Sequence, residues 1–163
     1  MMKQIKLRDI ELAQQIWADR LIDVGKAFMQ KTDHQSVAKK MIGELYGYQE
    51  GTVLFKPTKA REKQFRLNSA SALSYFIGDN PDFSEDKGFA LRPWKNVRFE
   101  NAGVILKKKS AIVMGNYYFT DYNLNEMKIE YTIGYFVSAK GSLKINLHHS
   151  SFPFSGEWAP HET

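Results

Sequence analysis

The densest run of chemistry-bearing side chains in the sequence is Leu147-His148-His149-Ser150-Ser151. On an extended chain successive side chains point to opposite faces, so His148 and Ser150 share one face and His149 and Ser151 the other. A histidine beside a hydroxyl can handle protons, because a neutral imidazole with a reference pKa of about 6.5 accepts or passes them near neutrality. Two adjacent histidines on opposite faces do not easily chelate one metal. The same residues read equally well as hydrogen-bonded strand-end side chains, and the sequence leaves open which face lines an interior.

A second group is Lys56-Pro57-Thr58-Lys59-Ala60-Arg61, followed by Lys63, Arg66 and Tyr75. Its charge can draw a small anion, although a charge run is more often a solvated surface. Aromatic residues do not interleave with the cations as they do in single-strand nucleic-acid grooves, so nucleic acid is not an expected partner. The histidines are His34, His148, His149 and His161, and the chain has no cysteine. No metal-ligand spacing appears, and no Gly-rich phosphate loop or Gly-x-Ser-x-Gly elbow. We therefore expect no metal and no cofactor.

These residues sit in a chain of 163 residues with net charge +5, 43% apolar and 25% charged residues. The length suits one domain over 1–163 with a real core, and the charge balance excludes global disorder. No apolar run reaches the roughly 18 residues of a membrane span. The basic start has no apolar segment behind it, as a secretory signal would require, so a cytoplasmic protein is expected.

The elements that must position the candidates are helices first and strands after. Ile10, Ala13, Trp17, Leu21, Val24 and Phe28 recur at spacings of three and four, which predicts a helix over 8–30. Gly25 weakens its end. Thr32 and Gln35 suggest a capping box for a second helix with Val37, Met41, Leu45 and Tyr48 on its inner face, closed by Gly51. A short strand over 52–56 stops at Pro57. Residues 69–77 read as a third helix, capped by Asn68 or Ser69 and ended by Gly78, and 79–88 as a loop. Segments 96–106, 110–121, 126–138 and 142–151 are rich in β-branched and aromatic residues between turn signals, which predicts an antiparallel meander. In the last of these, Leu143, Ile145 and Leu147 alternate onto one face. Helices before an antiparallel sheet make an α+β domain.

That order, and several stretches within it, resemble a known group. Lys56-Pro57-Thr58, Leu73-Ser74-Tyr75-Phe76, Phe99-Glu100-Asn101-Ala102-Gly103, Met114-Gly115-Asn116-Tyr117-Tyr118-Phe119 and His148-His149-Ser150-Ser151 are similar to the nuclear-transport-factor-2-like (SnoaL-like) cone. Within it they resemble the group of the calcium/calmodulin-dependent protein kinase II association domain, which includes iota-class carbonic anhydrases. The resemblance implies a conical fold with a pocket between a strongly curved sheet and the helices. It implies a lyase that hydrates carbon dioxide reversibly to bicarbonate, in some members without metal. Carried over by motif, Thr58, Tyr75 and Ser150 would bind substrate and, with His148, perform the chemistry. Their hydroxyls would hold a water and the developing bicarbonate charge, and His148 would accept or shuttle the proton. A homodimer joined through the outer sheet face is implied too. The competing reading is a non-catalytic association or small-ligand-binding domain of the same fold.

Overall fold

The structure, a computed structural model, describes residues 4–156, so His161 lies outside the described residues. Among these, three α-helices precede four long strands: α1 (Leu7–Met29), α2 (His34–Leu45), β1 (Leu54–Lys56), α3 (Ser69–Ile77), β2 (Trp94–Leu106), β3 (Ser110–Asp121), β4 (Glu126–Val137) and β5 (Leu143–Ser151). Short 3-10 turns occupy Pro81–Phe83 and Phe89–Leu91. The fold is α+β.

α1 follows its apolar period, burying Ile10, Trp17, Leu21 and Val24, while Phe28 at its end is exposed. The helix continues past Gly25, which sits where another chain segment comes too close for a side chain. A Cβ there would lie 2.9 Å from the Ala90 carbonyl oxygen. The cap of α2 differs from the expected Thr32–Gln35 box. Asp33 is the N-cap, accepting from the Ser36 N–H, while the Thr32 hydroxyl donates to the Ala27 carbonyl and closes the end of α1. Aspartate competes well for the cap because its carboxylate also suits the positive end of the helix dipole. α2 stops at Tyr46 rather than near Gly51, since Tyr46 turns extended and bridges to Ile145 of the sheet. Asn68 caps α3 and Gly78 ends it in the positive-φ conformation that glycine tolerates.

The sheet order is β1-β5-β4-β3-β2. β2 to β5 form the antiparallel meander, and β1 joins its edge parallel to β5, pairing Phe55 with His148 and Lys56 with His149. That parallel pairing is not in the sequence pattern, because a three-residue strand carries no period to read. β3 alternates cleanly, with Ala111, Val113, Tyr117 and Phe119 buried. One sheet face meets the helices over a core dense in rings. Trp17 alone packs within about 6 Å of Phe99, Tyr117, Phe119 and His148.

β5 is where the sequence pattern fails. Gly134 of β4 faces Leu147, but the next residue, Tyr135, faces Ile145, so Asn146 is an extra residue on β5. Such a bulge bends the strand and swaps the faces beyond it. Ile145 is buried, yet Leu147 lies on the opposite side with His149 and Ser151. The expected single face of Leu143, Ile145 and Leu147 therefore does not exist.

Candidate active site

The bulge decides the parity of the polar run. Beyond Asn146, His148 and Ser150 point into the core, 2% and 1% exposed, while His149 is exposed on the outer sheet face. Without the extra residue, the face carrying Ile145 would have carried His149 and Ser151 inward instead. Gly134 makes room for the bulge, since a Cβ there would lie 2.9 Å from the Cβ of Leu147 and from Oδ1 of Asn146.

Two further elements bring the remaining candidates to the same place. β1 lays the Phe55 ring flat on the His148 imidazole, with centroids 5.0 Å apart and 16° between planes. Pro57 then ends pairing, having no N–H to give, and the chain carries Thr58 across β5. There its Oγ1 lies 2.7 Å from Oγ of Ser150. α3 supplies Tyr75, whose hydroxyl accepts the Lys59 N–H at 3.2 Å. Thr58, Tyr75, His148 and Ser150 thus line one cavity, walled by Trp17, Phe55, Phe89 and Tyr117. Its volume is about 10 Å³, at the threshold of about 10–15 Å³ that admits a single water.

The hydrogen bonds behind this cavity have a direction. The Trp17 indole N–H can only donate, and it does so to the Tyr46 hydroxyl at 3.0 Å. Tyr46 must then give its own proton to Nδ1 of His148, 2.9 Å away, or leave a buried O–H unpaired. With Nδ1 accepting, the imidazole proton is on Nε2 and faces the Tyr117 hydroxyl at 3.1 Å. Tyr117 in turn donates to Ser150 in a close contact, and Ser150 donates to Thr58. The last proton, on Thr58, is left for Tyr75 and the cavity. A donor fixed deep in the core by α1 therefore makes the mouth of the chain a donor too.

Burial keeps every member neutral. The His148 pKa falls to about 3, first because the ring is desolvated and second because His149 is adjacent. Desolvation pushes the Tyr46, Tyr75 and Tyr117 hydroxyls well above the ordinary tyrosine value. The site is thus a set of neutral hydroxyl donors in a desolvated, ring-lined space, which suits an anion or a developing negative charge.

Residues 8–152 match the family described as metal-independent carbonic anhydrase. The chain belongs to that family. A metal-independent carbonic anhydrase from Nostoc sp. (strain PCC 7120) is 38% identical over 149 residues, which cover 90% of this chain and 73% of the relative. The crystal structure of an iota-carbonic anhydrase from a cyanobacterium, complexed with bicarbonate, superposes with a TM-score of 0.91 at 35% identity, covering 95% of this chain and 96% of that one. A protein from Xanthomonas campestris described as a calcium/calmodulin-dependent protein kinase II association domain shares the fold, with a TM-score of 0.63 at 20% identity over 93% of this chain and 90% of that one.

Among the described residues no three His, Asp or Glu side chains gather as a metal site would need. His34 packs edge-on against Phe28 at the start of α2, and His149 faces away from His148. Sequence reasoning missed the polar roles of Tyr117, Tyr46 and Trp17: Trp17 read there only as part of a helix face, Tyr117 only as part of a motif, and Tyr46 was not singled out. The alternation of β3 placed Tyr117 inward, but nothing in it revealed that the hydroxyl meets His148 and Ser150. Sequence reasoning placed Lys56 in a charge run that either draws a small anion or lies solvated. In the structure its ammonium is half-buried and donates to the main-chain carbonyls of Ser150 at 3.0 Å and Thr58 at 3.3 Å, clamping the two hydroxyl residues together. Its pKa is lowered by desolvation.

Proposed function

We propose that this chain converts carbon dioxide and water to bicarbonate and a proton, reversibly, in the cavity bounded by Thr58, Tyr75, His148 and Ser150. The observation that carries this is the 2.7 Å Thr58–Ser150 hydroxyl pair at the end of a chain of donors directed outward. Water attacks the carbon, a C–O bond forms, and one C=O π pair moves onto oxygen. The Thr58 and Tyr75 hydroxyls donate to the oxygen that gains charge, and Ser150 holds Thr58 in that role. Each such donor is worth roughly a hundredfold or more in rate.

The water's proton goes to water or buffer base. His148 is not its resting place, because an imidazole with a pKa of about 3 takes up no second proton at neutral pH. Its part is to keep Tyr117 donating toward Ser150. This replaces the shuttle role that a reference imidazole suggests, and the cause is the depth at which the bulge buries it. Bicarbonate binds to the same donors in the reverse reaction, and a homologue with 35% identity is described as complexed with it. We propose in addition that the chain is a homodimer through the outer sheet face, where Ile112 and Met114 stand exposed on β3.

Stopped-flow hydration of carbon dioxide after exhaustive chelation tests the reading. A rate above buffer that survives chelation and falls by about two orders of magnitude in Ser150→Ala is expected. No rate above buffer, with or without added zinc, overturns it.

A further inference from the structure

In this structure the inner cavity has about 10 Å³, the room of a single water, so carbon dioxide and bicarbonate enter or leave it only when the side chains between cavity and solvent move. The wall there is the Tyr75 and Phe89 pair, stacked with centroids 5.5 Å apart and 20° between planes. Both rings also line a second, outer basin of about 460 Å³, whose rim carries Lys59, Lys87 and Arg92 and whose side is Trp94.

The acids that share this basin are committed elsewhere. Glu85 aims its oxygens at the main-chain N–H groups of Arg61, Glu62 and Lys63. Asp86 is buried in a two-pronged pair with Arg66 and accepts from Ser74. Arg92 gives one nitrogen to Asp121, which also ties down the turn at Asn123 and Asn125. Among the described residues the Lys59 ammonium has no hydrogen-bond or ion-pair partner. Partial burial, and then the like charge of Arg92, lower its pKa. Two cations that repel across one basin are relieved by an anion between them. Lys59 also follows Thr58 directly, and its N–H holds the Tyr75 hydroxyl of the wall.

We propose that this basin is an antechamber that binds bicarbonate between Lys59 and Arg92 before and after its passage through the Tyr75–Phe89 wall. The inference rests on the carbonic anhydrase reading for its ligand. Carbon dioxide is neutral and gains nothing from these charges, whereas bicarbonate is attracted and its local concentration rises.

A ¹H–¹⁵N titration with sodium bicarbonate at pH 8 and constant ionic strength, monitoring the backbone amides of Lys59, Gly88 and Arg92, provides the test. Saturable shifts are expected at these amides. The apparent Kd should rise about five- to tenfold in the Lys59→Gln, Arg92→Gln double variant, the scale of two partly solvated charge contacts, and return toward wild type in Lys59→Arg, Arg92→Lys. Product inhibition of hydration by bicarbonate should weaken by a similar factor. No saturable shift in the wild type overturns the antechamber, as does a double variant that titrates like the wild type. The titration needs no turnover, so a protein that shifts at these amides yet hydrates no carbon dioxide keeps the anion site and loses the anhydrase reading. A protein that turns over without such shifts does the reverse.

Discussion

The hydroxyls of Thr58 and Ser150 lie 2.7 Å apart although 92 positions separate them in the chain. Three things hold them there: the parallel pairing of β1 with β5, the Lys56 ammonium bonded to both their carbonyls, and the Asn146 bulge that turns Ser150 inward. Activity should therefore respond to each of these supports as well as to the hydroxyls themselves.

Thr58→Val keeps the shape of the side chain and removes the donor that faces the cavity. Hydration by stopped flow should fall about a hundredfold, with the circular dichroism spectrum unchanged. An unaltered rate would mean that Thr58 does not donate to the reacting oxygen.

Lys56→Met removes the clamp but keeps most of the apolar stem. The rate should drop about tenfold or more, as misplacement of a catalytic group does. Lys56→Arg, which still carries N–H donors to both carbonyls, should recover part of it.

The direction of the donor chain depends on Trp17. In Trp17→Phe, Tyr46 no longer receives an N–H and is free to accept from His148 instead. Long-range ¹⁵N spectra should show the His148 proton moving from Nε2 toward Nδ1, with a lower hydration rate and a stability loss of about 1–2 kcal/mol. A tautomer unchanged from wild type would show that another group sets it.

Stability should depend on pH through His148. The folded ring titrates at about 3, while the unfolded ring titrates at about 6.5. Below about 6.5 the unfolded chain takes up a proton that the folded protein refuses, so this contribution is intact above pH 6.5 and declines as pH falls toward about 3. Thermal melts of wild type and His148→Gln from pH 4 to 8 should show a shallower acid decline in the variant. The hydration rate should show no inflection near 6.5 from this residue.

The Arg66–Asp86 pair, 0% and 2% exposed at the side chains, anchors the start of α3 to the loop beside the antechamber. Asp86→Asn leaves the guanidinium buried without its counter-charge and should cost about 3–5 kcal/mol by denaturant unfolding.

Much of this was legible in the sequence. The 3.6-residue period of residues 10–24, the Asn68 cap, the Gly78 stop and the turn signals between the long strands gave α1, α3 and the meander nearly at their observed bounds, because these depend on neighbours in the chain. Thr58 follows from motif resemblance together with its place in the basic run, Tyr75 from resemblance, and His148 and Ser150 from the polar strand end as well, and the structure gathers all four around one cavity.

What the sequence determined by itself was local: which segments are helix or strand, and which residue types are present to act. Only the tertiary structure decided which of two adjacent histidines faces inward, because one extra residue on β5 reverses the faces and its position depends on pairing with Gly134 of another strand. It also decided that Tyr46, Tyr117 and Trp17 are polar partners rather than only apolar bulk, since a hydroxyl or indole N–H shows its role only when something distant in sequence meets it. The pKa of His148 follows from the same cause, being set by the rings packed around it rather than by its place in the chain.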